Sequence, residues 1–113
     1  MLREEHFQRM KPTAWVVNTS RGATIDEPAL IAALQEGRIG GACLDVVASE
    51  PAAPDNPLLH MPNVLITPHT AGFSNESRVD ARRQALDEVL RVLGGEWPRA
   101  LVNPAVKEKG GIW

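Results

Sequence analysis

The sequence has a single cysteine, Cys43, and no tyrosine. One thiol forms no internal disulfide, and no cysteine–histidine spacing of the zinc type is present, so no metal site is expected. Two phenylalanines and three tryptophans are the only large aromatic rings. They are too few for the stacking platform that single-stranded nucleic acids need. No run of about 18 apolar residues exists, so no membrane-spanning helix is expected. Positive charge is in slight deficit: 12 Lys and Arg against 14 Asp and Glu leave a net charge of −2. Without a basic face, nucleic acid is not expected as a partner. The opening stretch, Met1 to His6, places acids where a signal peptide needs bases and then an apolar run. The expected compartment is therefore the cytoplasm. What is present is 43% hydrophobic and 23% charged residues over 113 positions. That is the balance of a folded globular chain with one modest core. It is a short chain for an enzyme that houses both a cofactor and a substrate between two domains.

Periodicity along the chain predicts alternating elements. Leu2, His6, Phe7 and Met10 fall at helical spacing, and Lys11-Pro12-Thr13 ends that segment. Ala14 to Asn18 is a short continuous apolar run, which predicts a strand buried on both faces. A polar turn, Thr19 to Gly22, follows. Asp26 then reads as a helix N-cap with Pro28 in the first turn; Leu30, Ala33 and Leu34 form the apolar stripe, and Gly37 is the stop. Gly40 to Val47 predicts a second strand, Ala48 to Pro62 a loop, and Asn63 to Thr67 a third strand. Ser74 or Asn75 caps a last helix reaching Leu93, with Leu86, Val89, Leu90 and Leu93 as its buried stripe and Gly94-Gly95 as its end. The tail from Glu96 to Trp113 reads as irregular. Trp15 is expected in or beside the sheet, Trp97 and Trp113 in the tail, and Cys43 in the core. Helix–strand alternation argues for an α/β fold with a mainly parallel sheet.

In open parallel sheets, ligands sit beyond the carboxyl ends of the strands. That rule selects Thr19–Gly22, Asp45–Glu50 and Thr67–Gly72, which hold Arg21, Asp45, Glu50 and His69. Arginine offers a rigid fork for a carboxylate or phosphate. Histidine carries protons near neutral pH, and a neighbouring carboxylate orients its ring. Such a set suits a carboxylate-bearing substrate that gains or loses one proton. Taken singly, each residue also has a plainer reading. Arg21 fits a surface turn, Glu50 a solvated loop, and Asp45 a cap on the neighbouring turn; His6 and His60 lack partner motifs and read as solvated.

The motifs Val17-Asn18-Thr19-Ser20-Arg21-Gly22-Ala23-Thr24-Ile25-Asp26, Gly41-Ala42-Cys43-Leu44-Asp45-Val46, Glu50-Pro51, Asn56-Pro57-Leu58 and Thr67-Pro68-His69 resemble the D-isomer-specific 2-hydroxyacid dehydrogenases. That family includes 3-phosphoglycerate dehydrogenase, glyoxylate/hydroxypyruvate reductases and the C-terminal-binding-protein co-repressors. The resemblance runs from about Met10 to Pro104 and implies a Rossmann-type doubly wound sheet. It implies hydride transfer between NAD(H) and a small 2-keto or 2-hydroxy acid, with NADP left open. By position, Arg21 matches the substrate-carboxylate arginine, His69 the acid/base, and Glu50 its carboxylate partner. Thr19, Ser20, Arg21, Asp45, His69, Thr70, Ala71 and Gly72 match positions around the cofactor.

The family's Gly-x-Gly-x-x-Gly turn does not precede Val16, and the ribose-binding acid is also missing. The chain is therefore expected to be the C-terminal third of such an enzyme. Residues 1–93 would form part of the NAD-binding domain, and 94–113 would return to the substrate domain. The resemblance further implies a homodimer in the full-length protein. Two rival expectations stand beside it: an NAD-sensing scaffold of the co-repressor type, and an inactive truncated product that binds NAD poorly and associates through exposed apolar faces.

Overall fold

The computed structural model describes residues 1–110; Gly111 and Trp113, assigned to the tail by sequence, lie outside the described residues. The chain divides into two compact units, Met1–Ala71 and Gly72–Trp113.

The first unit holds α1 (Glu4–Phe7), β1 (Trp15–Asn18), α2 (Glu27–Gln35), β2 (Gly41–Leu44) and β3 (Val64–Ile66). Short 3₁₀ turns lie at Gly22–Thr24 and Pro57–His60. The strands form one parallel sheet in the order β1-β2-β3. Val17, Cys43 and Leu65 share one row across it, and Asn18, Leu44 and Ile66 the next. Helix α2 begins where the sequence places it. The Asp26 carboxylate accepts the Ala29 N–H at 3.2 Å, which satisfies one of the donors left free at a helix start. It ends at Gly37, whose φ of +66° suits glycine. Leu30, Ala33 and Leu34 face inward and join Phe7, Val16, Ile39, Leu44 and Leu58 in the core. Helix α1 is a single turn, shorter than the expected Leu2–Met10 segment, although Phe7 is fully buried.

The expectation of two-sided burial does not hold for the strands. Along β1, Val16 and Asn18 are buried while Trp15 and Val17 are exposed. Leu65 is exposed as well and Cys43 is half-buried. An apolar run specifies a strand, but whether its second face is covered depends on elements distant in sequence. The indole of Trp15 lies along the backbone at Gly41, where a side-chain carbon would sit 2.6 Å from the ring. The sequence placement of Trp15 beside the sheet thus holds.

The second unit holds α3 (Asn75–Leu93) and a 3₁₀ segment, Pro104–Lys109. Ser74 and Ser77 cap α3 reciprocally: the Ser77 N–H donates to Ser74 Oγ at 3.0 Å, and the Ser74 N–H to Ser77 Oγ at 2.9 Å. The stripe expected to be buried, Leu86, Val89, Leu90 and Leu93, is more than half exposed at every position. Arg91 pairs with Glu96 at 2.7 Å, and Glu88 accepts the Arg99 N–H at 2.8 Å, tying the start of the tail to the helix. No helix among the described residues is long and apolar enough to cross a membrane.

Candidate active site

Because all three strands run parallel, the segments that follow them leave at the same rim of the sheet. Each is shaped by a polar residue at a strand end. After β1 the organiser is Asn18, which is buried. Its Oδ1 accepts the Ser20 N–H at 3.1 Å and the Ser20 hydroxyl at 2.9 Å, and its Nδ2 donates to the Arg21 carbonyl at 3.0 Å. This side-chain turn fixes the Thr19–Arg21 backbone and leaves Thr19, Ser20 and Arg21 exposed. Asn18 was not among the candidates from sequence. An asparagine closing an apolar run is the signal that points to it.

After β2, Asp45 is buried, and both of its oxygens are occupied. Oδ1 accepts the Thr67 hydroxyl and the Thr70 N–H at 2.8 Å; Oδ2 accepts the Ala71 N–H at 2.8 Å. These bonds, led by that of Thr67, hold the Asp45 carboxyl below the usual carboxylate range against the opposing effect of its burial. The structure therefore gives Asp45 the turn-capping geometry. Within that turn, His69 has φ +54°, a left-handed conformation that costs an ordinary residue about 1–2 kcal/mol. Its N–H is held by the carbonyls of Asp45 at 2.9 Å and Thr67 at 3.0 Å.

The imidazole and the loop after β2 meet directly. His69 Nδ1 lies 2.7 Å from Glu50 Oε2, with both side chains partly open to solvent. Glu50 Oε1 also accepts the Val47 N–H at 3.3 Å. The His69 hydrogen bond is the chief cause that lowers the Glu50 carboxyl below its ordinary range, and the Arg21 charge adds to it. The guanidinium itself donates to the Ser20 carbonyl at 2.6 Å. The Arg21 loop approaches the Glu50 loop at Gly22, where a side-chain carbon would sit 1.9 Å from the Val47 carbonyl oxygen.

Arg21, Glu50 and His69 are thus gathered at one rim, with Thr19, Ser20, Asp45, Thr70 and Ala71 beside them. Gly72 opens the second unit, its carbonyl accepting the Ser77 hydroxyl at 2.6 Å. A largely apolar cavity of about 410 Å³ lies against Asp45, Val47, Glu50, Ala52, Pro68 and His69. A smaller one of about 90 Å³ is lined by Val17, Thr19, Cys43, Leu65 and Ala71. A positive fork, a proton-carrying ring and its carboxylate partner on one rim can bind an organic acid and protonate an oxygen on it. His60 stands apart, its Nε2 3.1 Å from the Pro54 carbonyl oxygen.

Comparisons with known proteins identify the family and the fold. Residues 1–71 match the family model described as D-isomer specific 2-hydroxyacid dehydrogenase, NAD binding domain. A glyoxylate reductase of Korarchaeum cryptofilum is 46% identical over 106 residues, covering 94% of this chain and 32% of that protein. A D-isomer specific 2-hydroxyacid dehydrogenase from Xanthobacter autotrophicus, solved with NADPH and MES, superposes with a TM-score of 0.80 at 36% identity, covering 93% of this chain and 43% of that one. D-lactate dehydrogenase with NAD+ from Lactobacillus jensenii gives a TM-score of 0.72 at 30% identity, covering 91% and 35%. The chain spans about a third of the length of the curated relatives it matches.

Proposed function

Since the chain belongs to the D-isomer-specific 2-hydroxyacid dehydrogenase family, we propose that it serves reversible hydride transfer between a nicotinamide dinucleotide and a small 2-keto or 2-hydroxy acid. Glyoxylate and hydroxypyruvate are the first candidates. The observation that carries this reading is the 2.7 Å contact between His69 Nδ1 and Glu50, formed within reach of the Arg21 charge.

In this reading Arg21 grips the substrate carboxylate with its planar fork. Glu50 occupies Nδ1 of His69 and fixes the ring, which leaves Nε2 to deliver a proton to the keto oxygen. When bound, the nicotinamide supplies the hydride. The residues present fit its nicotinamide end. Thr19 and Ala71 line the small cavity, and Ser20 and Thr70 are their neighbours in the chain. Asp45 acts by holding the His69 turn in shape. Relatives solved with NAD+ and with NADPH support the dinucleotide class, and the proposal covers both. Residues 1–93 are assigned to the NAD-binding domain and 94–113 to a return toward the substrate domain, in a cytoplasmic homodimer.

The test is steady-state oxidation of NADH and NADPH with glyoxylate, hydroxypyruvate or 3-phosphohydroxypyruvate, using the longest polypeptide that carries this chain. Turnover is expected. His69→Ala is expected to lower kcat by about 10²–10⁴-fold, and Arg21→Gln to impair both KM and kcat. A protein that binds the dinucleotide but turns over none of these acids fits a sensing scaffold and refutes the proposal. An undiminished rate in the His69 variant does so as well.

A further inference from the structure

The carboxylate of Glu27 joins two parts of the chain that local sequence does not connect. It stands at the first position of α2, where an acidic residue needs no partner beyond the helix dipole. Yet Oε2 accepts the Ala48 N–H at 2.7 Å, and Oε1 accepts the Asn56 Nδ2–H at 2.9 Å. Both partners lie in the excursion between β2 and the Pro57–His60 turn, on either side of Glu50. Asn56 is itself fixed, because its Oδ1 accepts the Leu58 N–H at 3.0 Å and Leu58 is fully buried. The segment 48–56 is exposed at nearly every position and has no strand or α-helix of its own. Ala52 packs against the core, His60 Nε2 lies 3.1 Å from the Pro54 carbonyl oxygen, and Gly22 closely approaches Val47; beside these and the Glu50–His69 contact, the two bonds to Glu27 are the ones that tie the segment to the start of α2. A flexible segment left to itself samples many backbone states, and charge-assisted bonds from amides to one carboxylate remove that freedom.

We propose that Glu27 is a positioning residue: by clamping Ala48 and Asn56 to the start of α2, it sets where Glu50 meets His69. The proposal rests on the reading of Glu50 and His69 given above. It assigns Glu27 no contact with substrate or cofactor.

Two readouts in the 113-residue chain test it without requiring turnover: the ¹³C titration of the Glu50 carboxyl, and hydrogen exchange at the Ala48 amide. In the unsubstituted chain, Glu50 should titrate below an ordinary glutamate, because the His69 hydrogen bond favours its charged form. Glu27→Ala should return at least half of that displacement and speed Ala48 exchange by about tenfold. Glu27→Gln keeps one carbonyl acceptor for Ala48 but turns its own amide donor toward Asn56 Nδ2–H, so its effect on the Glu50 titration should fall between the unsubstituted chain and Glu27→Ala. Asn56→Asp keeps the acceptor for Leu58 but removes the donor to Glu27 and opposes it with like charge. It should act in the direction of Glu27→Ala, and it decides the matter if that variant does not fold. A merely structural Glu27 would lower the melting temperature and leave the Glu50 titration in place. That result, or unchanged Ala48 exchange, overturns the proposal. Absence of keto-acid reduction would refute the proposed function and leave these readouts unaffected.

Discussion

Replacing Gly22 by alanine puts one methyl group between the two loops that carry Arg21 and Glu50. On the present backbone that methyl would lie 1.9 Å from the Val47 carbonyl oxygen, 2.2 Å from its carbon and 2.7 Å from the Ala48 nitrogen. Every obstructing atom is backbone, so no side-chain rotation relieves the clash. The loops must separate by at least about 1.1 Å to restore even a 3.0 Å contact. The cost of such overpacking is about 1–3 kcal/mol, which for a unit of this size is a fall in Tm on the order of 5–20 °C. Gly22 does not have positive φ, so the requirement is steric. Gly37 supplies the contrast. Its φ is +66° with nothing within 4 Å, so Gly37→Ala should cost only the conformational penalty of about 1–2 kcal/mol and leave the site alone. Thermal unfolding of both variants by circular dichroism measures the losses. The Glu50 carboxyl titration then separates them: only Gly22→Ala should move it, since Val47 donates its N–H to Glu50. If the proposed function holds, a misplacement of about 1 Å at these loops also lowers kcat/KM by about 10²-fold. A Gly22→Ala chain that melts within about 1 °C of the unsubstituted chain would refute the argument, because the two loops would then have no need of their close approach.

The Asp45 and Glu50 carboxyls are both held below their ordinary range. Their stabilisation should therefore be fully present above the ordinary carboxylate value near 4 and be lost as pH falls through the depressed values. Melting temperatures taken between neutral pH and about pH 3 should trace that loss. Asp45→Asn should flatten the acid limb and speed exchange at the Thr70 and Ala71 amides; an unaltered limb would contradict the capping role. Leu30, fully buried on α2, should cost about 2–5 kcal/mol as alanine by urea denaturation. Val17→Thr, on the exposed side of β1, should stay within about 0.5 kcal/mol; equal losses at both positions would mean that the burial pattern along β1 is wrong.

Much of the architecture was legible because it rests on short-range rules. The Asp26 cap, the stripe of Leu30, Ala33 and Leu34, the Gly37 stop and three apolar runs each state their element within a few residues. The rim could also be read, since parallel strands with following turns at Thr19, Asp45 and Thr67 send those turns to one side. The sequence could not show which strand face is covered. Val16 and Val17 are the same residue type in the same run, and one is buried while the other is exposed. The difference comes from α2 and the core lying on one face, a relation that no window around β1 contains. The same limit applies to the stripe on α3, where helical spacing identifies an apolar face and says nothing about what meets it.

The polar residues divide along the same line. Arg21, Glu50 and His69 announce themselves by chemical type at strand ends, whereas Asn18 and Glu27 do not. An asparagine closing a strand reads as an ordinary turn former, and a glutamate in the first helical turn as an ordinary partner of the dipole. Their work lies in bonds that bend the backbone of the chemically conspicuous residues, over a few positions for Asn18 and more than twenty for Glu27. A site of this kind needs reactive groups and also groups that restrict where the reactive ones stand. The second sort is spread along the chain in residue types that many other positions share. The rim therefore places a demand on its neighbours. Glu50 comes from an excursion without strand or α-helix and His69 from a left-handed turn, so their 2.7 Å contact requires that Glu27 and Asp45 hold both supports in place.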